Sequence, residues 1–586
     1  MTRKTILAGA ISLATLLVCG APAAFGHSWP GAGTTAEQYD VEVPAGALPP
    51  GPARGELSTE GSRFRIRFEM PAAGPAHLTF WRDYRSGMPP AKTEAVITSD
   101  RGGTVRIPVD PTHESGRGAP LFLGSADELA VFSRAVRATS KGAKVIADGE
   151  EKDEPDPDLP AQQAPRANLI NGIELGAPSE IAAPDCRRLA YARYVVVALR
   201  GKESVQGLFD CAARGAAVLL VGRLTTPDAR ADVFARLGVG TRVVPWGHGA
   251  VAWFPRVQAG IGDTVAAMDA LGQVNDYQYI LSGVFSPFVD DGGVTKPKGV
   301  PGSTLVLLLL ALYVAVIGPV GYFVGVRPRR AWLAWSWFPM VALGATIALT
   351  AVSTVWRGKP AQLGENRTSL LAPTGAGLEN TDIRLQGSSS ARYAISVPWR
   401  DGDLRSVERG YRFGTPFARP AGSLALAEDR IAGRLDADGL TVGRFGTAGL
   451  SWVQPVQKGG GVEIARRGDK FTIANHMARP IRRAVIRGAT LCGQVDALPV
   501  GAERTVAGTD CERVKLSENA EKNSWFAAAA ARAEGLKPAL GAVLLVAEVE
   551  EVEEAASVEA RPAVETRGND IVLVRGPLPG EEPAAP

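Results

Sequence analysis

The side chains able to do chemistry are few in this chain and lie far apart. Its 586 residues include five cysteines and five histidines. Cys19 lies in an apolar leader; the other four fall as two close pairs, Cys186 with Cys211 and Cys492 with Cys511. In an oxidising compartment each pair can close a disulfide, with unpaired buried thiols as the alternative. Zinc is a poorer reading, because no CxxC spacing exists and no histidine sits near either pair. His248, in Trp246-Gly247-His248-Gly249, reads first as a polar residue of a hairpin loop. With Trp246 and Trp253 beside it, it is also a candidate for ligand contact. Asp290-Asp291-Gly292-Gly293 reads as a turn, and becomes a hydrolytic pair only if another acid converges on it. Gly238-Val239-Gly240 and Gly260-Ile261-Gly262 lack the third glycine of a dinucleotide fingerprint, with Val243 and Val265 in its place. His476, Asp83, Arg85 and His113 read as turn or loop residues. No catalytic, cofactor-binding or metal-ligating set follows from these residues.

The elements around them fall into blocks. Residues 1–26 have the form of a secretory signal: Arg3 and Lys4, an apolar core from Ile6 to Val18, then small residues. Cys19 raises a lipoprotein alternative, but Val18 stands where a small residue is wanted. Residues 27–118 read as a β-sandwich. Phe64, Ile66, Phe68 and Met70 alternate with Arg63, Arg65, Arg67 and Glu69, the period of a strand with one buried face.

Residues 119–290 alternate strand and helix. Ser125 with Glu128 predicts a capped helix reaching Val136. The runs at 194–199 and 216–221 read as fully buried strands of a parallel sheet. An acidic, proline-rich stretch at 141–166 reads as a mobile insertion. Residues 291–303 form a linker. Residues 361–575 are β-rich again, and 576–586 form a proline-rich tail expected to be disordered.

Between the two β regions lie two long apolar runs, 304–326 and 331–355, with no charged residue in either. Each is long enough to cross a hydrocarbon core of roughly 30 Å as a helix. The loop 327–330 holds Arg327, Arg329 and Arg330, which places it on the cytoplasmic side. The expectation is therefore a two-helix transmembrane hairpin, with both large regions extracytoplasmic, on the periplasmic side of the inner membrane. Lys296, Lys298, Arg357 and Lys359 weaken the charge bias, and the signal-like start supports the orientation.

The run LAYARYVVVALRGKESVQGLFDCAARGAAVLLVG (189–222) and the following GVGTRVVPWGHGAVAWFP resemble the degenerate class I glutamine-amidotransferase-like (flavodoxin-like) domains of bacterial-type envelope membrane proteins. The pattern covers roughly residues 119–360. An active member carries a cysteine on a sharp turn after a strand, with a histidine and an acid later. Here Gly222-Arg223-Leu224-Thr225 follows that strand, and Cys211 falls inside a helix. The resemblance thus implies the fold without the triad.

Composition narrows the rest. Lys plus Arg number 64 against 61 Asp plus Glu, with no basic tract, so nothing points to nucleic acid. The fold class expected is multi-domain α+β: sandwich, flavodoxin-like domain, membrane hairpin, second β-rich sandwich. The function expected is a non-enzymatic envelope protein, in contact with membrane lipid, that binds a partner protein or ligand outside the membrane and uses no cofactor. An accessory subunit of a transport or envelope-assembly complex fits that role. The alternative is an extracytoplasmic hydrolase acting on envelope glycan or peptide.

Overall fold

The computed structural model describes residues 34–59, 62–83, 93–109, 120–147, 173–176, 178–200, 204–222, 243–254, 339–347, 361–386, 391–400, 402–408, 424–442, 447–511, 542–550, 558–561 and 565–577, with a few single positions between. Of the described residues, 59% lie in strands and 16% in helices.

The alternating run is strand Ser62–Met70. Phe64, Ile66, Phe68 and Met70 are buried, and Phe64 meets Phe80 edge-on at 6.1 Å. On the wet face, Arg63 and Arg65 both reach Glu56. Burying each large side chain contributes about 1.5–3 kcal/mol. The strand pairs antiparallel with Gly51–Thr59 and parallel with Leu424–Asp429, so its second neighbour comes from the far end of the chain.

The same mixing recurs in the longest sheet. Its eleven strands run in the order Thr509–Asp510, Leu491–Val495, Ile481–Arg487, Ala542–Val549, Glu565–Pro577, Gln362–Leu371, Ala376–Gln386, Thr447–Gln457, Asp403–Glu408, Thr34–Val43, Ala76–Asp83. Thr34 and Thr35 pair with Val407 and Ser406. An eight-stranded sheet faces one part of it across a core that includes Phe64, Phe80, Trp399 and Trp452. A three-stranded sheet (Val462–Arg467, Lys470–Asn475, Glu503–Ala507) packs near the other end across a second core with Phe471, Ile486 and Val572. The two regions expected as separate sandwiches therefore build common sheets. Period-two patterning marks a strand but carries no information about its partner.

The segment between them forms a six-stranded sheet: Val244–Trp246, Gly249–Phe254, Ala217–Gly222, Val195–Leu199, Leu121–Leu123, Glu174–Gly176. All pairings are parallel except that of the edge strand Val244–Trp246. Both faces are buried, as the unbroken apolar runs require. Phe122, Val196 and Leu219 face a core with Phe132 and Val136 of helix α1 (Ala126–Ala147). Leu121, Val195, Val197 and Val218 face helices α2 (Cys186–Tyr191) and α3 (Gln206–Ala213). Helix α1 runs eleven residues past the expected end at Val136.

The expected membrane hairpin is not shown, and the α+β class built on it is corrected to a mostly β architecture. Among the described residues no helix is long and apolar enough to cross a membrane. Within 304–355 the longest described stretch is helical over 339–347. Arg327, Arg329 and Arg330, and most of both apolar runs, lie outside the described residues, as do the linker 291–303 and the tail 578–586. Hydropathy reports the solvent a segment prefers; it does not by itself establish a continuous helix.

Because strands 34–109 complete sheets begun by 362–577, a chain lacking residues 34–109 is expected to lose cooperative unfolding throughout the β region. Circular dichroism melting of that truncation checks this; an unchanged transition in the remaining strands would refute it.

Candidate functional site

In the parallel sheet the first strand, Leu121–Leu123, lies between the second and the third. Winding reverses there, and the carboxyl ends of Leu121–Leu123 and Val195–Leu199 flank the crevice where such sheets take ligands. Leu123 runs into Gly124 and Ser125. The Glu128 N–H donates to Ser125 Oγ at 3.3 Å, and the Ser125 N–H donates to Glu128 Oε2 at 2.7 Å, closing the expected reciprocal cap of α1. Gly124 leaves no room for a side chain: a Cβ would stand 2.7 Å from Phe122 and 3.0 Å from the Glu128 carboxylate.

Arg200, one residue past Val195–Leu199, crosses the crevice. Its Nε donates to Glu128 Oε1 at 3.0 Å and its Nη2 to Oε2 at 3.1 Å. The Arg200 hydrogen bonds, helped by Ser125 and opposed by burial, hold the Glu128 carboxyl down at about 2. At neutral pH this carboxylate is ionised and committed on both oxygens. It is a weak base and has no proton to donate.

The residues singled out for ligand contact lie elsewhere, in the hairpin Val244–Trp246 to Gly249–Phe254. Trp246 is buried and meets Phe209 of α3 edge-on at 5.2 Å. His248 is buried, and its N–H donates to Ala213 O at 3.1 Å, at the end of α3. Trp253 donates its indole N–H to Gly222 O at 2.9 Å. The Gly247 N–H donates to Arg575 O of strand Glu565–Pro577 at 3.0 Å, so the turn also ties the parallel unit to the long sheet. The Trp246 ring, the Trp253 indole and the His248 backbone each join elements of the fold. Gly222 has φ +128°, and a Cβ there would stand 2.1 Å from Leu199 O, so glycine is required.

Cys186 of α2 and Cys211 of α3 form one disulfide, and Cys492 and Cys511 form another. Cys211 therefore offers no thiolate. Cys19, Asp290 and Asp291 lie outside the described residues.

A second set of charges escaped the sequence reading. On strand Gln362–Leu371, alternate residues Leu363, Glu365, Arg367, Ser369 and Leu371 share one face. Leu363 belongs to the first β core and Leu371 to the second, so the polar residues lie between the two. Arg367 binds Glu365 at 2.6 Å. Lys458 Nζ lies 2.9 Å from Glu379 and 3.0 Å from Asp570, which also accepts from Arg479 at 3.0 Å. Ser369 donates to Glu379 at 3.1 Å. Burial alone would push the Glu379 carboxyl up, but Lys458, Arg367 and Ser369 outweigh it and hold it below the ordinary 4.5. Glu365, Glu379 and Asp570, on three neighbouring strands, face Arg367 of the same strands and Lys458 and Arg479 from just outside them. Among the described residues, no group of three or more His, Cys, Asp or Glu side chains is arranged to hold a metal ion.

No family model matches this chain, and no curated protein matches it.

Two outcomes follow. Lys458→Met removes the cation that Glu379 shares with Asp570, leaves the buried Glu379 without its direct ion-pair partner and is expected to cost about 3–5 kcal/mol, measured by urea unfolding at pH 7. The Glu379 and Glu128 carboxyls are depressed in the folded chain. Their contributions are therefore present above the unfolded value near 4.5 and fade as pH falls through the lower folded values. Arg200→Gln is expected to bring the Glu128 titration, followed by carboxyl NMR, up from about 2 towards 4.5. A titration that stays put would show that Arg200 does not set it.

Proposed function

We propose that this chain is a non-enzymatic envelope protein that works as a binding scaffold. Its β sheets and parallel unit engage a partner outside the membrane, as an accessory subunit of a transport or envelope-assembly complex. One observation carries the reading: the crevice where a doubly wound sheet would take a small ligand is spanned by the chain's own Arg200–Glu128 pair. What remains for recognition is the outer surface of a large sheet assembly.

Covalent and topological facts support the compartment in this reading. Two disulfides favour an oxidising space. Residues 34–109 and 362–577 share hydrogen-bonded sheets, so both occupy the same side of any membrane. A position at the membrane is supported by the apolar side chains of the described helical residues between them. Met340, Leu343 and Ile347 are 72%, 63% and 60% exposed, and Leu312, Val314 and Phe323 are exposed as well. Thr346 and Thr350 return their hydroxyls to Ala342 O and Thr346 O, which leaves little polar surface on that stretch. Exposed apolar surface of this kind is a contact surface for lipid or protein.

Crosslinking in intact membranes, followed by purification and mass spectrometry, tests the reading. The expected result is a reproducible membrane-complex partner, joined through residues of the β region. Recovery of the chain alone at every crosslinker length would overturn it.

A further inference from the structure

The long sheet and the three-stranded sheet end beside one another, and the chain steps between them at Gly508. Strand Glu503–Ala507 pairs on one side with Lys470–Asn475, and among the described residues nothing pairs with its other side. Thr509 and Asp510 then cross over to pair with Cys492 and Leu491 of the long sheet. Beyond Cys492, residues Gly493 to Val495 keep the pairing with Ala484 to Ile486. The two strands therefore splay apart from a common root. The Cys492–Cys511 disulfide holds that root closed.

The space between them is a cleft of about 480 Å³, lined by Gly493, Gln494, Asp496, Arg504, Thr505 and Thr509 among others. That volume is in the range of ligand pockets. Its lining differs from the apolar lining typical of a small-molecule site: strand backbone and polar side chains predominate. Glu503, Arg504 and Thr505 are all exposed. Arg504 donates from Nη1 to Ala497 O at 3.1 Å, and among the described residues its guanidinium has no carboxylate partner. An open strand edge is a template for another strand, and an arginine beside it selects the charge of what is added.

We propose that this cleft takes an extended peptide segment, which adds a strand to the edge of Glu503–Ala507 and places an acidic side chain on Arg504. Main-chain hydrogen bonds supply the affinity and alternate side chains the selectivity, the mode of strand addition. Asp496 on the same rim disfavours a peptide with acids in succession. The inference rests on the reading of the chain as a partner-binding scaffold and names the surface and the partner chemistry.

The test is selection of linear peptides from a displayed random library on the purified full-length chain, followed by binding measurements on synthetic copies. The enriched peptides are expected to carry an acidic residue within an alternating pattern. Arg504→Glu, an exposed substitution whose folding is checked by melting, is expected to weaken their Kd about tenfold or more, the effect of losing one charge-assisted hydrogen bond. Backbone N-methylation at every second peptide residue is expected to abolish binding, while methylation at the intervening residues spares it. The proposal is overturned if no peptide is enriched, if Arg504→Glu binds as tightly as the parent chain, or if N-methylation is tolerated at every position. Membrane crosslinking of parent and Arg504→Glu chains separates this proposal from the broader one. A partner captured equally by both sinks the cleft and keeps the scaffold. Peptides that bind as expected, with no partner captured, keep the cleft and sink the scaffold.

Discussion

Three neighbouring strands at the centre of the long sheet bury carboxylates that are matched by cations, and the two β cores lie on either side of this set. Glu365, Arg367, Glu379, Lys458, Asp570 and Arg479 lie between Leu363 on one side and Leu371 on the other. A buried ion pair is a poor source of net stability, because desolvation offsets most of the attraction. Its effect is on choice of partner. Each carboxylate is tolerable only opposite its cation, and a slip of one residue would move every side chain of a strand to the other face. The charges thus favour one alignment of Gln362–Leu371, Ala376–Gln386 and Glu565–Pro577, with Lys458 reaching in from the end of Thr447–Gln457.

Around that centre, strands from the start of the chain join strands from its later half: Thr34–Val43 near one edge, and Ser62–Met70 beside Leu424–Asp429. Contacts of such sequence separation are slow to form, since loop closure precedes their reward. The parallel unit depends far less on distant partners. Its strands pair with one another, its helices cover both faces, and the Cys186–Cys211 bond pins α2 to α3. It meets the long sheet at the Trp246–Gly249 turn, through the Gly247 hydrogen bond to Arg575, and through Ala372 and Ala376 in its core.

The same economy governs polar groups at the crevice of the parallel sheet. The N-terminus of α1 has unsatisfied N–H groups and a positive field, which favour an anion. The chain supplies that anion itself as Glu128, then neutralises it with Arg200. At the far end of the long sheet the situation is reversed. There, among the described residues, the edge of Glu503–Ala507 stays open and Arg504 has no acid, which is why recognition is assigned to that end.

Much of this was legible along the chain. The period of Phe64 to Met70, the unbroken run of Val195 to Leu199, the Ser125–Glu128 cap and the closeness of each cysteine pair are local, and local patterns survive folding. Partner choice was not legible. Nothing in Arg63-Phe64-Arg65 names Ala425 to Ala427 as its neighbours, and nothing in Glu379 names Lys458 or Asp570. Trp246, His248 and Trp253 drew notice by type, yet their contacts with Phe209, Ala213 and Gly222 are internal. Apolar length predicted a membrane hairpin that the structure does not show: among the described residues no helix is long and apolar enough to cross a membrane. The sequence by itself determined which residues seek burial, which turn and which cap. Only the tertiary structure decided which strands meet, which charges are spent on one another and which edge stays open, because each of those depends on groups brought together from opposite ends of the chain.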